Sequence, residues 1–205
     1  MDGLNNDWRK INWISTIGIT LFFGLYGYAT TLYPGGSQLD AYAVGFDWIN
    51  NYWCDLLGEK GTNGQPNPAR PIAILAMAIL CLSLVHFFWQ FANTFAASKL
   101  WTKLIKICGA ISMFFSLLIF TEYHDFMIIL ASLFGLPLVL GIIKGIYQSK
   151  LTIFKITGLI GLLPLSANNY IYYTNRLLEW LPLLQKISFL IILGWIISLS
   201  IKISQ

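Results

Sequence analysis

The chain has 205 residues, of which 57% are apolar, 16% are aromatic and only 11% are Asp, Glu, Lys or Arg. Soluble domains carry roughly 25% of these charged residues, so this composition excludes an ordinary water-soluble domain and a disordered chain. The net charge of +4 comes without a basic tail, zinc finger or RNA-binding signature, which argues against a nucleic-acid partner. The sequence therefore predicts one integral membrane domain over residues 1–205.

Stretches without charged residues define the predicted membrane spans. A bilayer core of ~30 Å needs about 20 apolar helical residues, because only an internally hydrogen-bonded backbone is stable there. Two short stretches reach this length if Lys106 and Lys186 extend their ammonium groups to the interface. The fold class is predicted as all-α, an integral membrane bundle of six transmembrane helices. The spans lie at about 12–33, 71–92, 102–121, 126–147, 153–174 and 183–203. The first is too long and too aromatic for a cleaved signal peptide.

The distribution of basic residues predicts the orientation. Nine of the 13 Lys and Arg residues lie at the two termini and in the second and fourth loops. Under the positive-inside rule, both termini are cytoplasmic and the protein is a multi-pass protein of the plasma or bacterial inner membrane. Seven of the nine acidic residues lie in the other loops. The extracytoplasmic side therefore holds most of the groups that are capable of chemistry.

The first extracytoplasmic loop, residues 34–70, is the longest. Its apolar residues recur at spacings of three and four between Leu39 and Leu56, while Asp47, Asn51 and Asp55 recur every four residues. This pattern predicts an amphipathic helix over residues 38–58 at the outer interface. Two interpretations remain open. The polar stripe is a solvated face above a membrane anchor, or Asp55 and Asn51 turn inward over a polar site.

The third loop concentrates ionisable groups within four residues. Glu122, His124 and Asp125 lie together at a predicted membrane boundary, and His124 is the only histidine on this side. Neighbouring carboxylates can orient an imidazole and raise its pKa. With Asp55, these residues form the predicted catalytic group. The alternative is a polar turn in which Asp125 stabilises the start of a helix.

Further polar residues are candidates for ligand binding. Asn168 and Asn169 place adjacent amides in the outer half of the fifth span, where each needs a partner from a ligand or from another helix. Arg70 at the mouth of the second span suits a lipid phosphate or a carboxylate, or acts as an anchor. Asn51 joins this predicted set, whereas His86 is predicted to hydrogen-bond a neighbouring helix. Two histidines on opposite sides provide no metal site, and a cofactor stays unknown.

Two motifs carry a resemblance to a known family. Residues 51–58 read Asn-Tyr-Trp-Cys-Asp-Leu-Leu-Gly, and His124 at the head of the fourth span is followed by Ala131 and Phe134. These motifs resemble an uncharacterised bacterial family of six-span membrane proteins that is similar to the Frag/DRAM/Sfk group. Cys54 stands where that family has a serine. The resemblance implies a six-span topology, an outer polar site and a link with lipid handling.

These observations predict a lipid-interacting membrane protein with a polar site at the outer leaflet. A hydrolase or transferase that acts on a lipid is one form of this hypothesis, with His124 as general base. A non-enzymatic partner or sensor subunit of a membrane complex is the alternative. A small-solute transporter is the third, although polar residues crowd one side and leave no evident path across the mid-plane.

Overall fold

The computed structural model describes residues 13–204, and that part of the chain is all-helical, as the sequence predicts. Arg9 and Lys10, which entered the orientation argument, lie outside the described residues. Each predicted span corresponds to one long helix, with ends that differ by a few residues. The helices are α1 (Trp13–Leu32), α2 (Arg70–Phe95), α3 (Lys99–Leu117), α4 (His124–Gln148), α5 (Thr152–Thr174) and α6 (Leu181–Ser204). Short 3-10 helices cover Trp53–Leu57, Leu118–Phe120 and Leu178–Trp180.

Between residues 13 and 204, four helical segments are long and apolar enough to cross a bilayer. They are Arg70–Phe95, Lys99–Phe120, His124–Gln148 and Leu178–Ser204. Helices α1 and α5 are not among these four segments; α1 contains several Gly, Thr and Tyr residues, and α5 contains an Asn pair and several Tyr residues. The structure is thus that of a helical protein whose apolar helices are compatible with a membrane environment.

The helix ends follow from local sequence. Pro71 occupies the first turn of α2, where its missing N–H leaves no hydrogen bond unmade. Ser98 precedes α3 and its side chain accepts a hydrogen bond from the Trp101 N–H. Asn175 ends α5 in the left-handed conformation, with φ of 53°, which Asn tolerates better than most residues. These signals explain why the observed helices begin and end close to the predicted spans.

The core is built around α2. Phe22 of α1 and Phe87 and Phe91 of α2 are fully buried and contribute the largest side chains of the core. Helix α2 also packs on α3, and α3 packs on α4. Helix α5 packs on α6 and only slightly on α4, which leaves a gap inside the bundle.

The predicted amphipathic helix over residues 38–58 is wrong. This region consists of turns, with one isolated bridge between Gly35 and Val44, and only Trp53–Leu57 forms a short 3-10 helix. The Asp40 carboxylate accepts from the Tyr42 N–H, and the Asp47 carboxylate accepts from the N–H groups of Ile49 and Asn50. Such side chain to backbone hydrogen bonds compete with the helical ones, so the polar residues that suggested a helical stripe instead form the turns.

The two ends of the bundle differ in charge. The loop end comprises the first loop, residues 121–125 and residues 175–180, and holds all seven acidic residues of the described part of the chain. The lysine-rich end comprises the opposite helix termini and their turns, and no acidic residue lies there between residues 13 and 204. Its cations are Lys99, Lys103, Lys106, Lys144, Lys150, Lys155 and Lys202.

Candidate functional site

Asn51 is the centre of the hydrogen bonds that fold the first loop. Its side chain is fully buried, and its amide group donates to the Gly36 carbonyl at 2.7 Å and to the Asp55 carboxylate at 2.9 Å. Its amide oxygen accepts from the Asp47 N–H at 2.9 Å. All three polar positions of this side chain are therefore used inside the loop. The structure does not leave Asn51 free to contact a ligand, although it does turn the residue inward.

Lys186 fastens this loop to α6. The sequence predicts that its ammonium group reaches the interface, and this is wrong. Lys186 is 5% exposed, and its Nζ donates to the carbonyl oxygens of Asn51 and Pro182. The same Nζ lies 5.6 Å from the ring centroid of Phe46. A buried cation is expensive unless its surroundings compensate it, and here carbonyl dipoles and an aromatic face do so, helped by the charges of nearby carboxylates.

Asp55 and Arg70 also have roles within the loop. The Asp55 carboxylate accepts from the Tyr52 N–H at 2.8 Å, at the start of the short 3-10 helix, and from Asn51. The Arg70 guanidinium donates to the Leu57 carbonyl at 3.2 Å and pairs with the Glu59 carboxylate at 3.0 Å. Of the roles that the sequence leaves open for Arg70, a lipid phosphate, a carboxylate or an anchor, the structure shows a carboxylate, and it belongs to the same chain.

The two carboxyl groups near Lys186 titrate differently. Burial raises the pKa of Asp55, and hydrogen bonds from Asn51 and the Tyr52 N–H, with the charge of Lys186, offset this only in part. Burial also acts to raise the pKa of Asp47, but hydrogen bonds from the Asn50 side chain and from the N–H groups of Ile49 and Asn50 outweigh it and lower the pKa. Asp55 therefore resists ionisation, whereas Asp47 favours it.

Asp55→Asn is expected to stabilise the protein, relative to the wild type, as the pH rises. A raised pKa in the folded state means that the contribution of Asp55 is fully present below its unfolded value near 3.8 and is lost as the pH rises through the folded pKa. The amide variant keeps an acceptor for the Tyr52 N–H and does not titrate. Thermal unfolding in detergent at a series of pH values measures this difference. A difference that stays constant from acid to neutral pH would contradict it.

His124 lies beside a small cavity at the loop end. Its Nδ1 lies 3.0 Å from the Asp125 carboxylate, and the other predicted acid, Glu122, is exposed. The cavity has a volume of about 100 Å³, and its wall includes His124, Cys54, Trp53 and Gln185. The structure thus brings His124 and the 53–57 segment to one cavity. The Asp55 carboxylate is engaged by Asn51 and Tyr52, and no hydrogen bond joins it to His124.

Cys54 is poorly suited to nucleophilic chemistry in this cavity. Burial, together with the neighbouring charge of Asp55, raises the pKa of its thiol to about 12. The thiolate is the reactive form of cysteine, so this thiol is unreactive at neutral pH even though His124 lies on the same cavity. The described residues contain no group of three His, Cys, Asp or Glu side chains that could hold a metal ion.

A much larger cavity, which we call the chamber, fills the gap between α5 and the rest of the bundle. Its volume is about 470 Å³, and five helices, α2 to α6, contribute to its wall. The wall is apolar apart from a few side chains: Ser112, Ser116, Tyr147, Lys155, Asn168 and Ser188. Along α5 it extends from Phe154 to Asn168, a distance of about 21 Å at 1.5 Å per residue.

Asn168 is the predicted ligand-binding residue that reaches the chamber. Its Nδ2 donates to the Ser188 hydroxyl at 2.8 Å, which ties α5 to α6. Its buried Oδ1 has no hydrogen-bond partner among the described residues. Asn169 is exposed, and its amide donates to the Leu165 carbonyl of its own helix at 2.8 Å. The structure therefore separates the two adjacent amides, and only Asn168 faces the interior of the bundle.

His86 makes the interhelical hydrogen bond that the sequence predicts. Its Nδ1 lies 2.8 Å from the hydroxyl of Ser15, which joins α2 to α1. Sequence reasoning missed Lys186 as a buried residue and missed the chamber altogether. One signal was available for Lys186, since it is the only lysine inside a predicted span on the side that holds seven of the nine acidic residues.

No family model, curated protein or solved structure matches the chain. The resemblance to the six-span family therefore stays a prediction based on the residues quoted above. The structure itself defines a helical protein with membrane-compatible apolar helices, an apolar chamber between the helices and a tightly hydrogen-bonded loop over one end.

Proposed function

We propose that this protein is a six-span membrane protein that binds a membrane lipid and holds one of its acyl chains in the chamber. The observation that carries the proposal is the chamber itself, an apolar space of about 470 Å³ between helices of a membrane-compatible bundle. Ligand sites are typically cavities of this size, lined by apolar side chains with a few polar groups. Its length of about 21 Å exceeds half of a ~30 Å hydrocarbon core, so one chain of a lipid fits along it.

The termini are proposed to lie in the cytoplasm, because the lysine-rich end has the charge expected of that side. In a bilayer, an apolar cavity that reaches the lipid fills with hydrocarbon, since nothing else nearby matches its lining. A polar path across the mid-plane, as a small-solute transporter would need, is not supported by this lining. A partner or sensor role remains the alternative if no lipid is retained.

The outer polar site is proposed with fewer residues than the sequence predicts. Asn51, Asp55 and Arg70 are engaged in folding the loop, which leaves His124 as the predicted site residue beside the small cavity. That cavity and the chamber share the side chains of Met77, Ile119 and Phe189. A lipid-directed hydrolase or transferase would place its scissile bond at His124, with Asp125 to orient the imidazole.

Gly161→Leu tests the proposal by filling the chamber. Gly161 is buried on its wall, and a Cβ added there meets only Ile191, at an ordinary 3.5 Å. We expect native mass spectrometry of the purified protein to show lipid bound to the wild type. Retention by the variant should fall about tenfold, because its side chain displaces roughly two methylene groups of the bound chain.

Gly24→Leu is the matched control, since Gly24 is exposed on α1 and a Cβ there meets nothing within 4 Å. Equal lipid retention by both glycine variants would contradict the proposal. His124→Ala tests whether the head group of the bound lipid lies at the loop end, beside His124, or at the opposite end of the chamber. Its retention should fall only if the head group lies at the loop end, and unchanged retention would count against the outer site.

A further inference from the structure

We infer that the lipid of the chamber is an anionic phospholipid taken from the leaflet at the lysine-rich end, with its phosphate at Lys155. This rests on the proposed function of the chamber, adds the class of lipid and its point of entry, and places the head group away from the small cavity beside His124. The inference depends on where the chamber opens, which cation stands at the opening, and what charge surrounds it.

The exposed wall residues show where the chamber opens. Ile143 and Tyr147 of α4 and Leu159 of α5 line the chamber, yet they are 38%, 77% and 61% exposed. All three lie in the half of their helix nearer the lysine-rich end. A wall residue that is also exposed marks an opening, so the chamber opens sideways between α4 and α5, towards the surrounding lipid.

The loop end of the chamber is closed. Met77, Ile119 and Phe189 separate it from the small cavity beside His124, and none of them is exposed. Asn168 and Ser188 at this level are hydrogen-bonded to each other. A chain that enters between α4 and α5 therefore ends here, with its head group left at the opening.

Lys155 stands at that opening. It is half-buried on the chamber wall, and its Nζ lies 5.6 Å from the ring centroid of Tyr147 on the facing helix. Lys155 follows the first residue of α5 by three positions, about 5 Å along the axis, so its long side chain can extend the ammonium group to the end of the helix. The aromatic ring holds the ammonium group beside the space that a phosphate would occupy.

The charge around the opening favours an anion. The nearby Lys144 lies over the ring of Trp101 at 5.0 Å, and Lys150 is exposed in the connecting turn. No acidic residue of the described part of the chain lies at this end to neutralise them. A zwitterionic head group carries a cation of its own, which these lysines repel. An anionic phospholipid carries a net negative charge, which they attract.

The test compares phosphatidylglycerol and phosphatidylcholine with identical acyl chains, titrated separately into delipidated full-length protein and followed by native mass spectrometry. We expect the wild type to bind phosphatidylglycerol at least about fivefold more tightly, as one well-placed lysine at an anionic surface provides. Lys155→Gln should weaken phosphatidylglycerol binding by about that factor and phosphatidylcholine binding by less, because the choline cation already offsets part of the phosphate charge. Lys155→Arg should retain the preference. Lys103→Gln is the matched control, because Lys103 is exposed at the same end and is not on the chamber wall.

Equal binding of the two lipids by the wild type, or an equal loss in the Lys155→Gln and Lys103→Gln variants, would overturn the inference and leave the proposed function standing. Competition by millimolar inorganic phosphate would also overturn it, because the site would then take a free anion. Loss of preference in Lys155→Arg would show a packing role instead. Failure of the proposed function gives a different result, since both lipids would bind Gly161→Leu as well as they bind the wild type.

Discussion

Replacing Asn51 with leucine is expected to destabilise the protein by about 3 kcal/mol and to release the first loop from the bundle. The side chain is fully buried, and leucine of similar volume leaves the Gly36 carbonyl and the Asp47 N–H without their partners. Each buried polar group that loses its hydrogen bond costs roughly 1–3 kcal/mol. The Asp55 carboxylate also loses a donor, so the short 3-10 helix that it starts is weakened.

Asn50→Leu is the control for this prediction. Asn50 is half-buried next in the chain, and its side chain makes one hydrogen bond, from Nδ2 to the Asp47 carboxylate at 2.7 Å. We expect it to cost about 1 kcal/mol. Thermal unfolding in detergent measures both variants, and limited proteolysis between residues 35 and 66 reports the release of the loop. Equal effects of the two substitutions would mean that Asn51 is not the centre of the loop.

The helices could be predicted from sequence because the evidence for them is local and strong. Uninterrupted apolar stretches of about 20 residues have few alternatives to a helix. The first loop could not be predicted in the same way. Apolar residues recur every three or four positions between Leu39 and Leu56, which suggested a helix. In the structure, residues with this same spacing lie in a series of turns. What decides between them is the hydrogen bonding of Asp40, Asp47 and Asn51 to the backbone, which periodicity does not reveal.

The candidate site could likewise be predicted only in part from the sequence. The sequence drew attention to polar residues on one side, but it could not tell which of them fold the loop and which face a cavity. Asn168 and Asn169 are adjacent and chemically identical, and only the packing of α5 on α6 turns the first inward. The chamber exists because α5 makes few contacts with α4. The sequence of α5 does not predict how the helix packs on its neighbours.

The charge asymmetry links sequence and structure most directly. The sequence used it only to orient the chain. In the structure, the same lysines surround the side on which the chamber opens, while Asp40 and Asp47 form turns of the loop at the other end of the bundle. If a lipid is bound as we propose, one distribution of charge both orients the chain and selects the occupant of the chamber.

Gly18→Val is expected to cost at least about 3 kcal/mol, because it forces α1 and α2 apart. A Cβ added at Gly18 would lie 1.8 Å from the Ser83 hydroxyl oxygen and 2.9 Å from the Ser83 Cβ. The oxygen can turn away, but the Cβ is fixed to its helix, so the helices themselves must separate. That separation also stretches the hydrogen bond between Ser15 and His86, 2.8 Å long in the native packing.

Gly24→Val distinguishes this close approach from the general effect of a β-branched residue in α1. Gly24 lies on the exposed face of the same helix, where a Cβ meets nothing within 4 Å. Both variants lose a glycine and gain the same side chain, so helix propensity changes equally and cancels in the comparison. Thermal unfolding in detergent should show Gly24→Val close to the wild type and Gly18→Val far below it. Similar melting temperatures for the two would refute a close helix crossing at Gly18 and, with it, the packing that positions α2 at the centre of the bundle.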